Sequence, residues 1–71
     1  MDFKSRLKQL RSNRGLSQQT LASEIHISDT ALQNYEYGKR QPNLDILLAL
    51  ADYFDVSLDY LCGRSDVPER R

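Results

Sequence analysis

The feature that most constrains this chain is the stretch from Ser17 to Glu36, in which apolar residues recur at one-turn spacing along two short segments. The apolar positions are Leu21, Ala22 and Ile25 in the first segment and Ile27, Ala31, Leu32 and Tyr35 in the second. This periodicity predicts two amphipathic helices joined by a tight turn at residues 25–27. Each segment is shorter than the roughly 12–15 residues that an isolated helix needs in water, so both must pack against other helices.

The second of these predicted helices has polar side chains on the side away from its apolar stripe. They are Asp29, Thr30, Gln33, Asn34 and Tyr37. Amide, hydroxyl and carboxylate groups of this kind can hydrogen-bond to base edges in the major groove of DNA. Two short helices with such an outer face are typical of a DNA-binding helix-turn-helix.

The remaining chain predicts three more helices, which makes the fold class all-α, a compact bundle of five short helices. The apolar stripe of Phe3, Leu7 and Leu10 predicts a first helix from about Phe3 to Arg14, ended by Gly15. A second stripe predicts the fourth helix, and its members are Leu44, Leu47, Leu50, Ala51 and Phe54. Ser17, Ser28, Asn43 and Ser57 are the predicted N-caps of the second to fifth helices. We assign residues 1–63 to one domain, with the helix-turn-helix at 17–36, and residues 64–71 to a flexible C-terminal tail.

Size and cysteine content limit the class of protein. A chain of 71 residues forms one domain near the lower limit for folding without covalent cross-links. The single cysteine, Cys62, excludes an internal disulfide and fits a reducing cytoplasm. No apolar run approaches the roughly 18 residues of a membrane span, and no signal-peptide core begins the chain. These features predict a cytoplasmic protein that does not bind membranes.

The charges are divided unevenly along a chain whose formal net charge is zero. Residues 1–44 carry seven Lys and Arg against four Asp and Glu, a net charge of +3, whereas residues 45–71 carry three against six, a net charge of −3. The asymmetry predicts a surface that faces a polyanion and an acidic surface behind it. Because the positive charge is modest, discrimination should come from base contacts more than from non-specific affinity.

The chain resembles the phage Cro/CI repressor family, also called the XRE family, from Leu7 to Leu61. The matching residues are Arg11, Gly15-Leu16-Ser17-Gln18, Leu21-Ala22, Ile27-Ser28, Leu32, Tyr35-Glu36, Gly38-Lys39 and Pro42, followed by the run to Leu61. The resemblance implies a lambda-repressor-like domain that binds double-stranded DNA. One departure is His26, where the family more often has Gly in a turn that needs a positive φ; His tolerates that conformation better than most residues.

The predicted helix-turn-helix and the family resemblance together assign roles to individual residues. Thr30, Gln33 and Asn34 are the predicted base-reading residues, and Asp29 is a weaker one because phosphates repel its carboxylate. The predicted phosphate contacts are Gln18, as the resemblance implies, Ser28, and the side chains and backbone N–H groups of the loop containing Lys39 and Arg40. The alternative for Gln18 and for the loop is an ordinary solvated surface. The resemblance also pairs Arg11 with Glu36 in a structural ion pair.

Several apolar residues fall off the predicted stripes and could form an exposed patch. Leu48, Tyr53, Val56 and Tyr60 are the tentative interface of a homodimer, since twofold dimers match palindromic half-sites. The alternative is that these residues cover the core of a single domain.

The sequence favours a transcriptional regulator, most simply a repressor that acts as a dimer on a palindromic operator, although activation is also compatible with it. An antitoxin or a restriction-modification controller would use the same fold, and a helical protein–protein adaptor is the rival from another class. There is no phosphate-binding glycine loop, nucleophile–base pair or cluster of metal ligands, so we predict no enzymatic activity, no cofactor and no metal. We also predict no separate domain for a small-molecule effector.

Overall fold

The computed structural model describes residues 1–69 of the chain. It contains five helices: α1 (Phe3–Asn13), α2 (Gln18–Glu24), α3 (Asp29–Tyr37), α4 (Leu44–Phe54) and α5 (Leu58–Leu61). Helix α3 packs against α2 and α1, and α5 packs against α4 and α1. The predicted all-α bundle of five short helices is therefore confirmed. Within residues 1–69, none of the helices combines the length and the apolar character that crossing a membrane needs.

Every helix begins at a polar side chain that accepts a hydrogen bond from the backbone N–H three residues further on. The N-caps are Asp2, Ser17, Ser28, Asn43 and Ser57. Four of them were predicted, and the fifth, Asp2, follows the same rule at α1, where it accepts from the N–H of Ser5 at 3.0 Å. Local sequence thus determines where each helix starts.

Among residues 1–69, two residues other than glycine adopt the left-handed conformation. His26 has a φ of 62°, as predicted for the turn between α2 and α3. Asp55 has a φ of 55° directly after α4, which was not predicted, although Asp is among the few residues that visit this region readily. Its left-handed conformation allows the N–H of Val56 to donate to the carbonyl of Ala51 at 3.0 Å.

The largest fully buried side chains of the core are five leucines, one from each helix. These residues are Leu7, Leu21, Leu32, Leu50 and Leu61, each with an exposed fraction of 0%. Each buried side chain of this size contributes about 1.5–3 kcal/mol relative to an exposed one. Because no single helix supplies more than one of the five, the short helices depend on one another for stability.

One expectation about this core was wrong, and one alternative that the sequence left open is decided, since Val56 covers the core. Leu44, assigned to the buried stripe of α4, is 63% exposed. It occupies the first position of α4 and lies about 70° from the centre of the buried stripe at 100° per residue. Val56, assigned to an exposed patch, is only 6% exposed. It is the second residue after the end of α4, where the chain turns back and an apolar side chain commonly packs on the last turn of the helix.

The segment after α5 has contacts with the domain. The backbone N–H of Ser57 donates to the carbonyl of Pro68 at 3.0 Å, and Arg6 forms an ion pair with Asp66 at 3.5 Å. Residues 70 and 71 of the predicted tail lie outside the described residues. The flexibility of the 64–71 tail stays a prediction.

Candidate nucleic-acid interface

The outer side of α3 carries the residues predicted to read bases. Asp29 and Thr30 are exposed, and Gln33 and Asn34 are half-buried, whereas Leu32 on the inner side is fully buried. The hydroxyl of Ser28 accepts from the N–H of Ala31 at 3.1 Å, so its acceptor capacity is partly used by the helix itself. The fold therefore places amide and hydroxyl groups together along one accessible side of α3.

Arg11 and Glu36, which the resemblance paired, connect α1 to α3. Arg11 Nε donates to Glu36 Oε2 at 2.6 Å and Arg11 Nη2 donates to Oε1 at 3.0 Å, while Nη1 donates to the carbonyl of Leu16 at 2.8 Å. The side chain of Glu36 is 1% exposed and that of Arg11 is 14% exposed. A two-point contact of this kind fixes both distance and orientation, so it positions α3 rigidly against α1.

Gln18 joins the same network, which sequence reasoning did not predict. Its Nε2 donates to Glu36 Oε1 at 3.1 Å, and the residue is half-buried at the first position of α2. A primary amide has two N–H donors and a carbonyl acceptor, so this bond leaves one donor and the carbonyl for a ligand. Spacing along the chain gives no signal for a contact between residues 18 apart on different helices.

The loop after α3 differs from its prediction in one respect. The backbone N–H groups of Lys39 and Arg40 both donate to the carbonyl of Asn34, at 2.9 and 3.3 Å. They close the end of α3, where Gly38 is left-handed with a φ of 78°, and so they do not point to a ligand as expected. The side chains of Lys39 and Arg40 remain exposed. Any phosphate contact from this loop must come from those two side chains.

Three arginines that the charge pattern assigned to a polyanion-facing surface contact other parts of the domain instead. Arg11 pairs with Glu36, and the guanidinium of Arg6 lies 3.7 Å from the ring centroid of Tyr60. Arg14 donates to the carbonyls of Tyr53 and Phe54, each at 3.1 Å, and so satisfies two carbonyl groups at the end of α4. The net charge of the sequence includes these arginines but does not show that their side chains already have partners. Within the first 44 residues, the cations with exposed side chains and no hydrogen bond or ion pair are Lys4, Lys8, Lys39 and Arg40.

The residues of the tentative dimer interface lie in different environments. Leu48 is 42% exposed, next to Leu44 one turn earlier on α4. Tyr53 is half-buried with its ring edge-on to Phe54 at 5.3 Å, and the ring of Tyr60 is covered by Arg6. Leu44 and Leu48 are the exposed large apolar residues of α4, whereas Val56, beyond the end of this helix, is buried.

Residues 1–69 contain no group of three or more His, Cys, Asp or Glu side chains arranged to hold a metal ion. Cys62 is half-buried, and burial, together with the carboxylate of Asp59, raises the pKa of its thiol. A raised pKa lowers the thiolate fraction at neutral pH, so Cys62 has the character of a packing residue rather than that of a nucleophile.

A helix-turn-helix family model matches residues 7–61 of the chain. The HTH-type transcriptional regulator ImmR of Bacillus subtilis is 37% identical over 70 residues, covering 99% of this chain and 55% of ImmR. The P22 c2 repressor, solved in complex with a synthetic operator, aligns with a TM-score of 0.85 and 26% identity, covering 92% of this chain and 98% of that one. The restriction-modification controller C.AhdI of Aeromonas hydrophila aligns with a TM-score of 0.77 and 36% identity, covering 83% and 89%.

The first curated relatives are longer proteins, and the chain spans 33% of the length of one and 55% of the length of the next. These relatives are HTH-type transcriptional regulators, and they include an activator of Enterococcus faecalis and a phage repressor of Vibrio cholerae. The similarity extends over nearly the same residues as the five packed helices and the outward-facing α3. The chain therefore belongs to the XRE-type helix-turn-helix family, which includes the Cro/CI-type phage repressors.

Proposed function

We propose that this chain is a sequence-specific, double-stranded DNA-binding regulator of transcription that places α3 in the major groove. The observation that carries the proposal is the outer side of α3, where Thr30, Gln33 and Asn34 are accessible while Glu36 anchors the same helix to α1. A helix that reads bases needs both properties, because base-edge hydrogen bonds depend on accurate placement. The operator complex of the similar P22 c2 repressor supports this assignment.

Within this proposal, Gln33 and Asn34 pair with adenine edges and Thr30 contacts a base or a thymine methyl group. Asp29 is the weakest of the four, since its exposed carboxylate approaches a polyanion. Gln18 contacts a phosphate through the N–H that Glu36 leaves unused, with Ser28, Lys39 and Arg40 as further phosphate contacts. The contact by Ser28 uses the donor of its hydroxyl, because the oxygen already accepts from Ala31.

We infer that the regulator acts as a homodimer on a palindromic operator and represses transcription by occupying a promoter. The exposed Leu44 and Leu48 on α4 favour a partner on that side of the domain. The action is cytoplasmic, and no enzymatic step or small-molecule effector domain is part of the proposal.

Selection of bound sequences from random duplex DNA tests the function. We expect an enriched motif in two half-sites whose centres are one helical turn, about 10 base pairs, or a multiple of it apart. Footprinting on the selected duplex then reports whether one or two copies bind. Recovery of no motif, together with an affinity that does not change with salt, would overturn the proposal and favour a protein–protein adaptor, because DNA affinity falls steeply with salt.

A restriction-modification controller is the second candidate, and the similarity to C.AhdI supports it. Such a controller would bind DNA through the same face, so binding experiments alone do not separate it from a phage-type repressor. The position of the selected motif does. A motif upstream of a methyltransferase or endonuclease gene would assign the controller role, and a motif beside a toxin gene would assign an antitoxin.

A further inference from the structure

We propose that Lys4, in the first turn of α1, is a further DNA-phosphate contact, which rests on the proposed DNA-binding function. Lys4 is 35 residues away from the Lys39-Arg40 loop in the chain, and its side chain lies directly over the end of α3. The Nζ and Cδ atoms of Lys4 are 3.4 and 3.0 Å from the point where a Cβ on Gly38 would stand. The fold thus brings a cation from α1 to the loop that follows α3.

A groove between α1 and this loop is lined by residues of both, among them Lys4, Gly38 and Arg40. The side chains of Lys4 and Arg40 are both exposed, and the exposed Lys39 precedes Arg40 in the loop that follows α3. A phosphate beside this end of α3 could be neutralised from two directions. Lys4 belongs to α1, and Arg40 belongs to a loop whose backbone is hydrogen-bonded to Asn34 of α3. Because Arg11 and Glu36 hold α1 against α3, the two cations approach the groove from elements whose relative position is fixed.

One carboxylate, that of Asp2, lines the same groove. Its Oδ1 accepts from the N–H of Ser5 at 3.0 Å, and this hydrogen bond, with a smaller contribution from the nearby charge of Lys4, holds the pKa of Asp2 below its usual range. Asp2 is therefore ionised at neutral pH and would repel a phosphate in the groove. Asp2→Asn should therefore raise DNA affinity, whereas loss of Lys4 should lower it. The substitution removes the charge of Asp2 and keeps the N-cap, because Asn is an equally good N-cap.

A different role for Lys4 is purely structural: a cation near the end of α3 can interact with the helix dipole there. That role would change the stability of the protein and leave DNA affinity untouched. Lys4→Gln removes the charge together with the Cε and Nζ atoms that lie over Gly38, and Lys4→Arg keeps the charge and the length of the side chain. Lys8→Gln is the matched control, because it removes the same charge from α1 one turn further on.

The experiment measures the affinity of the full chain and its variants for a mixed-sequence DNA duplex between about 50 and 200 mM salt, with thermal unfolding of each variant in parallel. We expect Lys4→Gln to weaken binding about two- to fivefold at low salt and to reduce the slope of log affinity against log salt by about 0.9. We expect Lys4→Arg to bind like the wild type, Lys8→Gln to lose less than Lys4→Gln, and Asp2→Asn to bind more tightly.

Equal losses for Lys4→Gln and Lys8→Gln would overturn the proposal, because they would show an effect of net charge alone. A Lys4→Gln variant with the wild-type slope, or an Asp2→Asn variant that binds no better than the wild type, would overturn it as well. Failure of the DNA-binding function is a distinguishable outcome, since the wild type itself would then not bind the duplex even at low salt. A change in the melting temperature of Lys4→Gln without a change in slope would assign the structural role.

Discussion

The region around α2 and α3 is held in place by different chemistry from the region around α4 and α5. Helix α3 is anchored by the buried Arg11–Glu36 ion pair, to which Gln18 adds a hydrogen bond from α2. Helix α4 is anchored by Leu50, Ala51 and Phe54, each at most 3% exposed. The exposed surfaces differ accordingly: polar and amide-rich on α3, leucine-bearing and flanked by acidic residues on α4.

This difference shows how a short helix can be rigid while most of its surface remains polar. Helix α3 contributes Leu32 and Tyr35 to the core and keeps its outer side accessible. A directional ion pair compensates for the small apolar area, because it fixes orientation as well as distance. Helix α4 needs no such device, since its apolar stripe is wide enough to bury several residues.

The largest expected effect comes from breaking the ion pair. Glu36→Ala should lower the free energy of unfolding by about 3–5 kcal/mol, because it strands the largely buried guanidinium of Arg11. Chemical denaturation measures this loss. Glu24→Ala, which removes an exposed carboxylate from α2, is the control and should change stability by less than about 0.5 kcal/mol. Similar losses in both variants would show that Glu36 has no special role in holding α3.

For the region around α4 and α5, the corresponding substitution is Leu50→Ala in α4. It should lower the free energy of unfolding by about 2–5 kcal/mol through lost burial and the cavity left behind. Leu48→Ala, on the same helix but 42% exposed, should lower it by less than about 1 kcal/mol. If Leu48→Ala lowered the free energy of unfolding as much as Leu50→Ala does, Leu48 would be buried in the protein in solution, as it would be at the interface of a dimer.

A third change affects binding without affecting the fold. Asn34→Ala and Gln33→Ala should each weaken binding to the selected operator by about 1–3 kcal/mol per base contact. Stability should be retained, because the carbonyl of Asn34, which closes the helix end, is unaffected by loss of the side chain. Gln9→Ala, an exposed amide on α1, is the control and should bind normally. Unchanged operator affinity in both α3 variants would refute the assignment of α3 as the reading helix.

The smallest expected effect is that of Lys39→Ala. Because its exposed side chain is proposed to contact phosphate alone, the variant should lose about 0.2–1 kcal/mol of binding free energy on every sequence. Its salt dependence should fall by about 0.9 in slope. Competition titrations with the operator and with an unrelated duplex check this, and a loss confined to the operator would instead assign base recognition to the loop.

Much of the fold could be predicted from local signals. Ser17, Ser28, Asn43 and Ser57 cap helices at the predicted positions, and His26 adopts the positive φ predicted for its turn. Each of these features depends on the backbone within a few residues, so a short stretch of sequence is sufficient to define it. The outer face of α3 follows from the same helical periodicity.

The partners of long side chains could not be predicted in this way. Arg6 and Arg14 looked like surface cations, yet one lies over Tyr60 and the other closes the end of α4. The sequence left open whether Val56 is exposed or covers the core. The left-handed conformation of Asp55 reverses the chain direction and directs Val56 into the core.

The sequence by itself therefore determined the helices, their caps and the polar face of α3. The tertiary structure alone decided which cations remain available to a polyanion, and it brought Lys4 and Gln18 beside residues far away in the chain. The physical reason is one of range. Helix periodicity and capping act over a single turn, whereas a guanidinium or ammonium group at the end of a long side chain interacts with whatever the packing of other helices places within its reach.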